Sequence, residues 1–361
     1  MGSMKLFYDA RHIRTDYPDG ISRYSSELLK ALHKLQPVTA IIHDKKQLEV
    51  IPADIDFIIT HKPSSPRELF MARVLNHYEP DVVFSPMQIM GAGQWGRKYH
   101  LILTVHDLIY YEYNSPPANF NPLIRAVWWL YHQSYWPERL LLNRADVIAA
   151  VSQATKQQIK QHHLTRRPVR VVSNAPAALS ANAEGRQAKT KKKNLVFMGS
   201  FMAYKNVETL IGALFFLPHY QLHCLSSISA SRKQELLALA PPNQLFFHNG
   251  VTDEQYAAIL SSAHALVTAS YSEGFGLPLI EAMRAGTPVI CSDIPIFHEV
   301  AGEAGLYFDP DNQTQFAKQV IALEDSKQRA QSVKAGHEQA KKFSWSHSAK
   351  SLLKAIQDFT V

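Results

Sequence analysis

Short apolar runs alternate with amphipathic stretches along almost the whole chain of 361 residues. The runs have the length of buried strands, and the stretches between them place apolar residues at helical spacing. Such alternation is typical of parallel sheets whose strands are joined by crossover helices. Strands are predicted at residues 5–10, 38–43, 57–60, 81–86, 101–107, 146–152 and 169–174, and then at 194–200, 220–225, 244–248, 265–270, 288–292 and 305–308. Helices are predicted between them, for example at 21–35 and 153–162, and a last helix at 346–359.

A small, polar and finally basic segment at residues 180–193 separates the two series of strands and is predicted to be a linker or exposed loop. A chain of this length usually forms two domains. We predict an N-terminal domain at 1–175, a C-terminal domain at 176–345, and a final helix at 346–361 that packs back on the first domain. Both domains are predicted to be doubly wound and Rossmann-like, with the ligand site in the cleft between them.

Composition narrows the class of protein. No run of about 18 apolar residues is present, so no membrane-spanning helix is expected. The two cysteines, Cys224 and Cys291, give neither a disulfide framework nor zinc spacing, which fits a cytoplasmic protein. The net charge of +7 is uneven, because residues 1–175 hold 21 Lys and Arg against 15 Asp and Glu. A basic half fits an anionic membrane, a phosphorylated substrate, nucleic acid or simple solubility.

The most informative segment, residues 265–293, combines a buried strand, a glycine-rich loop, a helix and a second buried strand. Pro278 suits the first turn of the helix and Gly286 suits its C-terminal end. Small residues where the loop meets the helix expose backbone N–H groups at the positive end of the helix dipole, which favours phosphate. The predicted phosphate-facing residues are Gly274, Phe275, Gly276 and Leu277.

Two carboxylates frame this predicted anion site. Glu273 lies in the loop and Glu281 lies one turn into the helix. A carboxylate does not bind phosphate but accepts hydrogen bonds from sugar hydroxyls, so we predict that Glu281 holds a ribose diol and Glu273 the transferred sugar. The alternative is that Glu281 only complements the helix dipole and Glu273 is a solvated loop residue.

The spacing of these carboxylates identifies a family. The segment Ser-Glu-Gly-Phe-Gly-Leu-Pro-Leu-Ile-Glu-Ala at residues 272–282 resembles the E-x7-E motif of family 4 glycosyltransferases. The resemblance covers nearly the whole chain, since further landmarks follow in the family's order. It implies an α/β fold of the GT-B type, in which the first predicted domain is the acceptor side and the second binds the donor. It also implies that a hexose is transferred from a UDP- or GDP-sugar to a glycan without a metal ion and with retention at the anomeric carbon. The nucleotide sugar is then a co-substrate, and no cofactor, metal ion or nucleic acid is expected.

Two further landmarks fall in the second predicted domain. Residues 195–210 form a strand, a loop with Gly199 and Ser200, and a helix start with Lys205 at the loop's end. Lys205 is predicted to neutralise the donor diphosphate, as a metal ion does elsewhere. Many family members carry an arginine where Ser200 stands, so the phosphate clamp differs here. The turn around Val251 resembles the one whose backbone contacts the nucleotide base.

In the first domain, residues 16–24 resemble the family's glycine loop, which faces donor phosphate and acceptor. Gly20 permits close backbone approach, while Ser22 replaces a glycine that many members have. Arg23 and Tyr24 are candidates for acceptor contact, or else ordinary helix residues. His106 follows a buried strand and resembles the family histidine near the donor sugar. Catalytic roles are therefore assigned to His106, Lys205 and Glu273.

Several other patterns carry less weight. Asp54-Ile-Asp56 matches a metal-binding D-x-D triplet of another glycosyltransferase fold, but such triplets are frequent by chance. The absence of G-x-G-x-x-G after a strand and of a P-loop argues against a dinucleotide oxidoreductase and a P-loop NTPase. A nucleotide-sugar epimerase, a phosphorylase or a catalytically silent sugar-nucleotide binding module remain as alternatives.

An aromatic-rich stretch at residues 126–136, flanked by Arg125 and Arg139, lies in the basic domain. Trp and Tyr favour the membrane–water interface, and Lys and Arg favour an anionic lipid surface. We predict peripheral membrane association on the cytoplasmic side and a lipid-linked acceptor. The alternative is that Trp128, Trp129 and Trp136 pack the interior.

Overall fold

A computed structural model describes residues 4–16, 19–114, 116, 121–176 and 193–360. The chain divides into two compact units, one of Met1–Ala175 with Ser344–Val361 and one of Pro176–Phe343. The predicted linker lies outside the described residues except for its last residue, Lys193, which begins a strand.

The first unit is built around a seven-stranded parallel sheet. Its central strands are buried, as their apolar runs predict, whereas the strands at its two edges are largely exposed. In chain order the strands are β1 Leu6–Asp9, β2 Thr39–Ile42, β3 Asp56–Ile59, β4 Val82–Ser85, β5 His100–Val105, β6 Val147–Ala150 and β7 Val169–Val171. The helices are α1 Gly20–His33, α2 Met71–Asn76, α3 Ile109–Glu112, α4 Pro122–Tyr131, α5 Trp136–Leu142 and α6 Gln153–Gln161.

The second unit contains a six-stranded parallel sheet. Its strands are β8 Lys193–Phe197, β9 Tyr220–Cys224, β10 Leu245–Phe247, β11 Ala265–Thr268, β12 Val289–Ser292 and β13 Gly305–Phe308. The helices are α7 Val207–Ala213, α8 Ala230–Ala238, α9 Asp253–Ser262, α10 Leu277–Arg284, α11 Pro295–Ala301, α12 Gln313–Ala322 and α13 Ser326–Ala340. All thirteen predicted strands are thus confirmed.

The last helix, α14 Trp345–Thr360, belongs to the first unit, where it packs on α1. Ala349, Leu352 and Ile356, spaced at helical intervals, join the core of that unit. The Ser348 hydroxyl donates a hydrogen bond of 2.6 Å to the carbonyl of Ser173, next to the end of the sheet. The C-terminal helix is therefore an integral layer of the first unit.

The strand orders locate the ligand-binding edges. The sheets run β3-β2-β1-β4-β5-β6-β7 and β10-β9-β8-β11-β12-β13. In each, the order reverses between two central neighbours, β1 with β4 and β8 with β11. Connections on the two sides of such a point leave in opposite directions and open a crevice at the carboxyl ends of the strands. The sequence-predicted loops at 16–24, 199–205 and 270–277 follow β1, β8 and β11, which are three of these four strands.

Candidate active site

The glycine-rich loop ends in an unusual backbone conformation that starts α10. Gly276 has a φ of +94° as the residue before the helix, and a Cβ atom there would lie 2.9 Å from Cε1 of Phe297. Only glycine adopts this arrangement without strain. No side chain caps the helix, and Pro278 lies in its first turn. Pro278 has no N–H group, and the N–H of Leu279 bonds to the carbonyl of Gly276 at 3.0 Å. The N–H of Leu277, at the positive end of the helix dipole, precedes any carbonyl of the helix to which it could bond and favours an anion.

The C-terminal end of α10 fixes its length as the sequence predicts. Gly286 has a φ of +75°. The N–H group of Gly286 donates a hydrogen bond of 3.2 Å to the carbonyl of Met283. The N–H group of Thr287 donates one of 2.9 Å to the carbonyl of Ala282. These two bonds form a Schellman motif, in which a left-handed glycine terminates a helix.

The structure brings Lys205 and Glu273 together in an ion pair between Nζ and Oε1. Each side chain is 14% exposed. Lys205 ends a short 3-10 turn, Ala203–Lys205, that follows β8. Asn206, in the left-handed conformation, fixes this turn by donating a hydrogen bond of 2.8 Å to the carbonyl of Pro310. Two residues predicted to contact different parts of the donor are thus direct partners.

Two hydroxyl groups extend this pair and were missed by the sequence reasoning. Ser270 Oγ donates to Glu273 Oε1 at 2.9 Å and lies 3.1 Å from Thr268 Oγ1 at the end of β11. A backbone bond of 2.8 Å from the Tyr271 N–H to the Tyr204 carbonyl ties the loops after β8 and β11 together. The only local signal was the polar run Thr-Ala-Ser-Tyr-Ser after an apolar strand. The carboxylate of Glu273 is held in a defined position rather than solvated.

Glu281 lies on α10 and is 4% exposed. Its Oε2 accepts a hydrogen bond of 3.0 Å from the hydroxyl of Tyr256 on α9. The sequence reasoning did not identify Tyr256. Burial and this bond argue against a purely electrostatic role at a solvated helix end, because a carboxylate that only complements the dipole stays exposed.

The remaining predicted donor residues lie in loops that follow β8 and β10. The Gly199 N–H donates to Ser226 Oγ at 3.1 Å, and Ser200 is exposed. Val251 is half-buried and precedes Thr252, which caps α9 together with Gln255 in a capping box.

In the first unit, Gly20 is the first residue of α1, and a Cβ atom there would meet no other atom within 4 Å. Asp19 caps the helix by accepting a 2.8 Å bond from the Ser22 N–H. The buried Ser22 hydroxyl accepts from the N–H of Arg14 at 2.9 Å and donates to the carbonyl of the same residue at 3.3 Å. Serine in place of a second glycine thus adds two hydrogen bonds across the described ends of this loop.

Tyr24, a candidate for acceptor contact, is fully buried in the core of the first unit. Its ring contacts those of His106 and Trp345 edge-on at centroid distances of 5.0 and 5.8 Å. Its hydroxyl donates to the carbonyl of Val172 at 3.3 Å. The prediction that Tyr24 contacts the acceptor is therefore wrong, because α1 turns this side chain into the core. Arg23, the neighbouring candidate, is half-buried.

His106 follows β5 and is half-buried. Its Nε2 lies 2.8 Å from the carbonyl oxygen of Pro86, which accepts only, so we assign the ring proton to Nε2. Burial lowers the pKa of His106 to about 4. The imidazole is therefore neutral at pH 7, with Nδ1 as its acceptor atom.

A buried charge network at the end of β1 was also missed. Arg11 bonds to both oxygens of Asp9, at 2.7 and 3.1 Å, and to both oxygens of Glu68, at 2.8 and 3.1 Å. Burial alone would raise the pKa of Asp9, but the charge and hydrogen bonds of Arg11 lower it. Ser85, at the end of β4, donates to Asp9 at 3.1 Å. The network links the two central strands of this sheet beside the predicted glycine loop.

Within the described residues, no group of three or more His, Cys, Asp and Glu side chains is arranged to hold a metal ion. Asp54 of the D-x-D triplet instead pairs with His33 at 3.1 Å. Nor is any helix in the described ranges long and apolar enough to cross a bilayer.

Comparison with known proteins agrees with this geometry. The profile for "Glycosyl transferases group 1" matches residues 181–340, and that for "Glycosyltransferase Family 4" matches residues 18–175. The O-antigen chain mannosyltransferase RfbU of Salmonella typhimurium is 28% identical over 228 residues, which cover 62% of this chain and 60% of that relative.

Solved structures with the same fold cover almost the whole chain. Sucrose-phosphate synthase from Thermosynechococcus elongatus superimposes with a TM-score of 0.75 at 20% identity, covering 99% of both chains. The Anabaena HepE protein in complex with UDP and glucose superimposes with a TM-score of 0.70 at 17% identity. The match covers 98% of this chain and 99% of the HepE chain.

Two Rossmann-like parallel-sheet units, one of them carrying the glycine-rich loop with Glu273 and Glu281, form a fold of the GT-B type, which these solved structures share. The chain belongs to the family 4 glycosyltransferases.

Proposed function

We propose that the protein transfers a hexose from a UDP- or GDP-sugar to a hydroxyl group of a lipid-linked glycan, with retention and without a metal ion. The observation that carries this proposal is the Lys205–Glu273 pair beside the start of α10. Together they provide a cation, a carboxylate and the backbone N–H groups that lead into α10, at the end of a central strand. These are the groups that a sugar diphosphate requires.

The leaving diphosphate is stabilised by Lys205 and by the N–H groups at Phe275–Leu277. As the bond between the anomeric carbon and the phosphate oxygen breaks, its electron pair passes to the diphosphate. A nearby cation and oriented N–H groups stabilise that charge without reorganisation. Donor binding is expected to draw Lys205 from Glu273 towards phosphate.

Glu273, released from part of its ion pair, accepts hydrogen bonds from the hydroxyls of the transferred sugar. The acceptor hydroxyl attacks on the face from which the diphosphate leaves, and its proton passes to a departing phosphate oxygen. This front-face route gives retention and needs no protein base. His106 is neutral at pH 7 and is not proposed as a general acid.

Mannose is the first hexose to test, because the Salmonella relative is named a mannosyltransferase. Glu281, with Tyr256, is proposed to hold the ribose of the donor nucleotide, and the backbone at Val251 its base. The O-antigen chain in the name of that relative supports a glycan acceptor, and the membrane surface proposed below supports a lipid-linked one.

The experiment first screens GDP-mannose, GDP, UDP-glucose and UDP by thermal shift, because a ligand that binds the folded state raises its melting temperature. The donor so identified is incubated with glycan acceptors in EDTA, and the new anomeric centre is assigned by NMR. A retained configuration in EDTA supports the proposal. Dependence on added Mn²⁺ or an inverted centre would refute it, and release of free sugar without need of acceptor would indicate an epimerase or hydrolase.

A further inference from the structure

The first unit carries an apolar surface that no described part of the chain covers. Helix α4 buries none of its ten residues. Leu123, Val127 and Leu130 are 75%, 60% and 63% exposed, and Trp136, at the start of α5, is 66% exposed. The spacing of four and three residues places the first three side chains on one face of the helix. We call these four side chains the apolar surface.

The tryptophans of this stretch differ in their surroundings. Trp128 is half-buried, with its ring 5.0 Å from that of Tyr110 and 3.9 Å from that of His132. Trp129 and Trp136 are exposed. Aliphatic side chains and Trp136, rather than Trp128, therefore face outward.

Positive charge accompanies the apolar surface. Residues 1–120 contain 13 basic residues (Lys and Arg) and 13 acidic ones (Asp and Glu). Residues 121–175 contain 8 basic residues and only 2 acidic ones. Both acidic residues are engaged: Glu138 is buried and accepts a bond from Tyr131, and Asp146 pairs with Arg97. The whole basic excess of the N-terminal half thus lies in the stretch that contains α4.

Stacked aromatic rings connect α4 to the basic residues. Tyr111 lies 5.0 Å from His132, which follows α4, and stacks on Tyr135 at 4.4 Å. Tyr135 stacks in turn on His162 at 4.4 Å, and Arg139 donates to the carbonyl of His162 at 2.8 Å. A depression of about 700 Å³ follows, lined by Arg139, Asn143, His163, Thr165 and Arg166.

We propose that the apolar surface and its neighbouring arginines bind an anionic lipid bilayer. Leu123, Val127 and Leu130 enter the boundary between headgroups and acyl chains, while Arg139 and Arg166, which line the depression and are exposed, contact lipid phosphates. Amphipathic helices with basic flanks bind membranes in this way. A second copy of the chain fits less well, because a symmetric contact would place two patches of like charge against each other.

The test measures co-sedimentation with vesicles of phosphatidylcholine containing about 30% phosphatidylglycerol, in the absence of donor and acceptor. The full chain is expected to bind at low salt and to be released at high salt. Two surface variants, Leu123→Asn/Val127→Asn and Arg139→Glu/Arg166→Glu, are each expected to bind at least about tenfold more weakly.

Matched controls distinguish vesicle binding through this surface from nonspecific binding by exposed apolar or basic residues elsewhere on the protein. Phe215 in the second unit is 65% exposed, and Lys45 and Lys46 are exposed in the first unit. Phe215→Asn and Lys45→Glu/Lys46→Glu are expected to bind vesicles like the unmodified protein. Circular dichroism melting of every variant checks that it is folded.

The proposal is overturned if the protein does not bind anionic vesicles at low salt, or if it binds neutral vesicles equally well. It is also overturned if the surface variants abolish a dimer in solution but leave vesicle binding unchanged, since a second copy would then be the occupant. Vesicle binding requires no turnover, so its failure is distinguishable from failure of the proposed function.

Discussion

Replacing Lys205 by methionine tests whether the ion pair with Glu273 serves catalysis or only stability. Methionine retains most of the side-chain volume and removes the charge. Because each partner is 14% exposed, the pair lies between exposed pairs, which contribute at most about 1 kcal/mol, and buried pairs, whose disruption costs about 3–5 kcal/mol. Glu273 keeps its bond from Ser270. We therefore expect Lys205→Met to lower the free energy of unfolding by about 2 kcal/mol.

The effect on turnover is expected to be larger. Loss of one transition-state contact costs about 2.7–4 kcal/mol, so kcat should fall by a factor of about 10²–10³. Adding Glu273→Gln removes the unpaired carboxylate and should restore about 1 kcal/mol of stability. It should not restore turnover, because Glu273 is assigned to the sugar.

Urea unfolding and steady-state kinetics on the single and double variants give both quantities. The exposed pair of Lys193 and Glu324, 2.7 Å apart in the same unit, provides the control. Lys193→Met should change stability by less than about 1 kcal/mol and leave kcat unchanged. The catalytic assignment fails if Lys205→Met keeps kcat within about threefold of the unmodified enzyme, or if the double variant recovers both stability and turnover.

Three further predictions concern individual residues. Glu281→Ala should weaken binding of the donor nucleotide more than it lowers kcat, while Tyr256→Phe should weaken it less; unchanged affinity of Glu281→Ala in calorimetry would exclude the ribose contact. Gly276→Ala should destabilise the protein by about 1–3 kcal/mol, because φ is +94° and the new Cβ would lie 2.9 Å from Phe297; unaltered urea unfolding would contradict this. The folded-state pKa of His106, about 4, lies below the unfolded value of about 6.5, so the unfolded chain binds the proton first as pH falls. The free energy of unfolding should therefore decrease by up to about 3 kcal/mol from pH 6.5 to 4, and His106→Gln should flatten this dependence; an equal slope in the variant would refute it.

Local sequence patterns were sufficient to predict the strands and helices and much of the glycine-rich loop before α10. Strand positions follow from apolar runs, and the ends of α10 follow from Pro278 and Gly286, because these signals act over a few residues. The pattern formed by Glu273 and Glu281, with seven residues between them, is a signal of the same short range.

Which side chains meet depends on the tertiary fold. Lys205 and Glu273 are 68 residues apart in sequence, and Arg11 and Glu68 are 57 apart. The first pair meets because β8 and β11 are neighbours in the sheet although two strands separate them along the chain. Pairing of that kind depends on strand order, which no short-range pattern encodes.

The structure likewise distinguished buried from exposed aromatic residues. Tyr24 and Trp136 are similar amphipathic side chains in sequence, yet one is fully buried and the other is 66% exposed. Tyr24 lies on a helix face covered by α14, which comes from the other end of the chain. Trp136 begins a helix over which no described element packs at that position. Burial is set by what the rest of the chain places alongside a residue, and for these positions the partner lies far away in sequence.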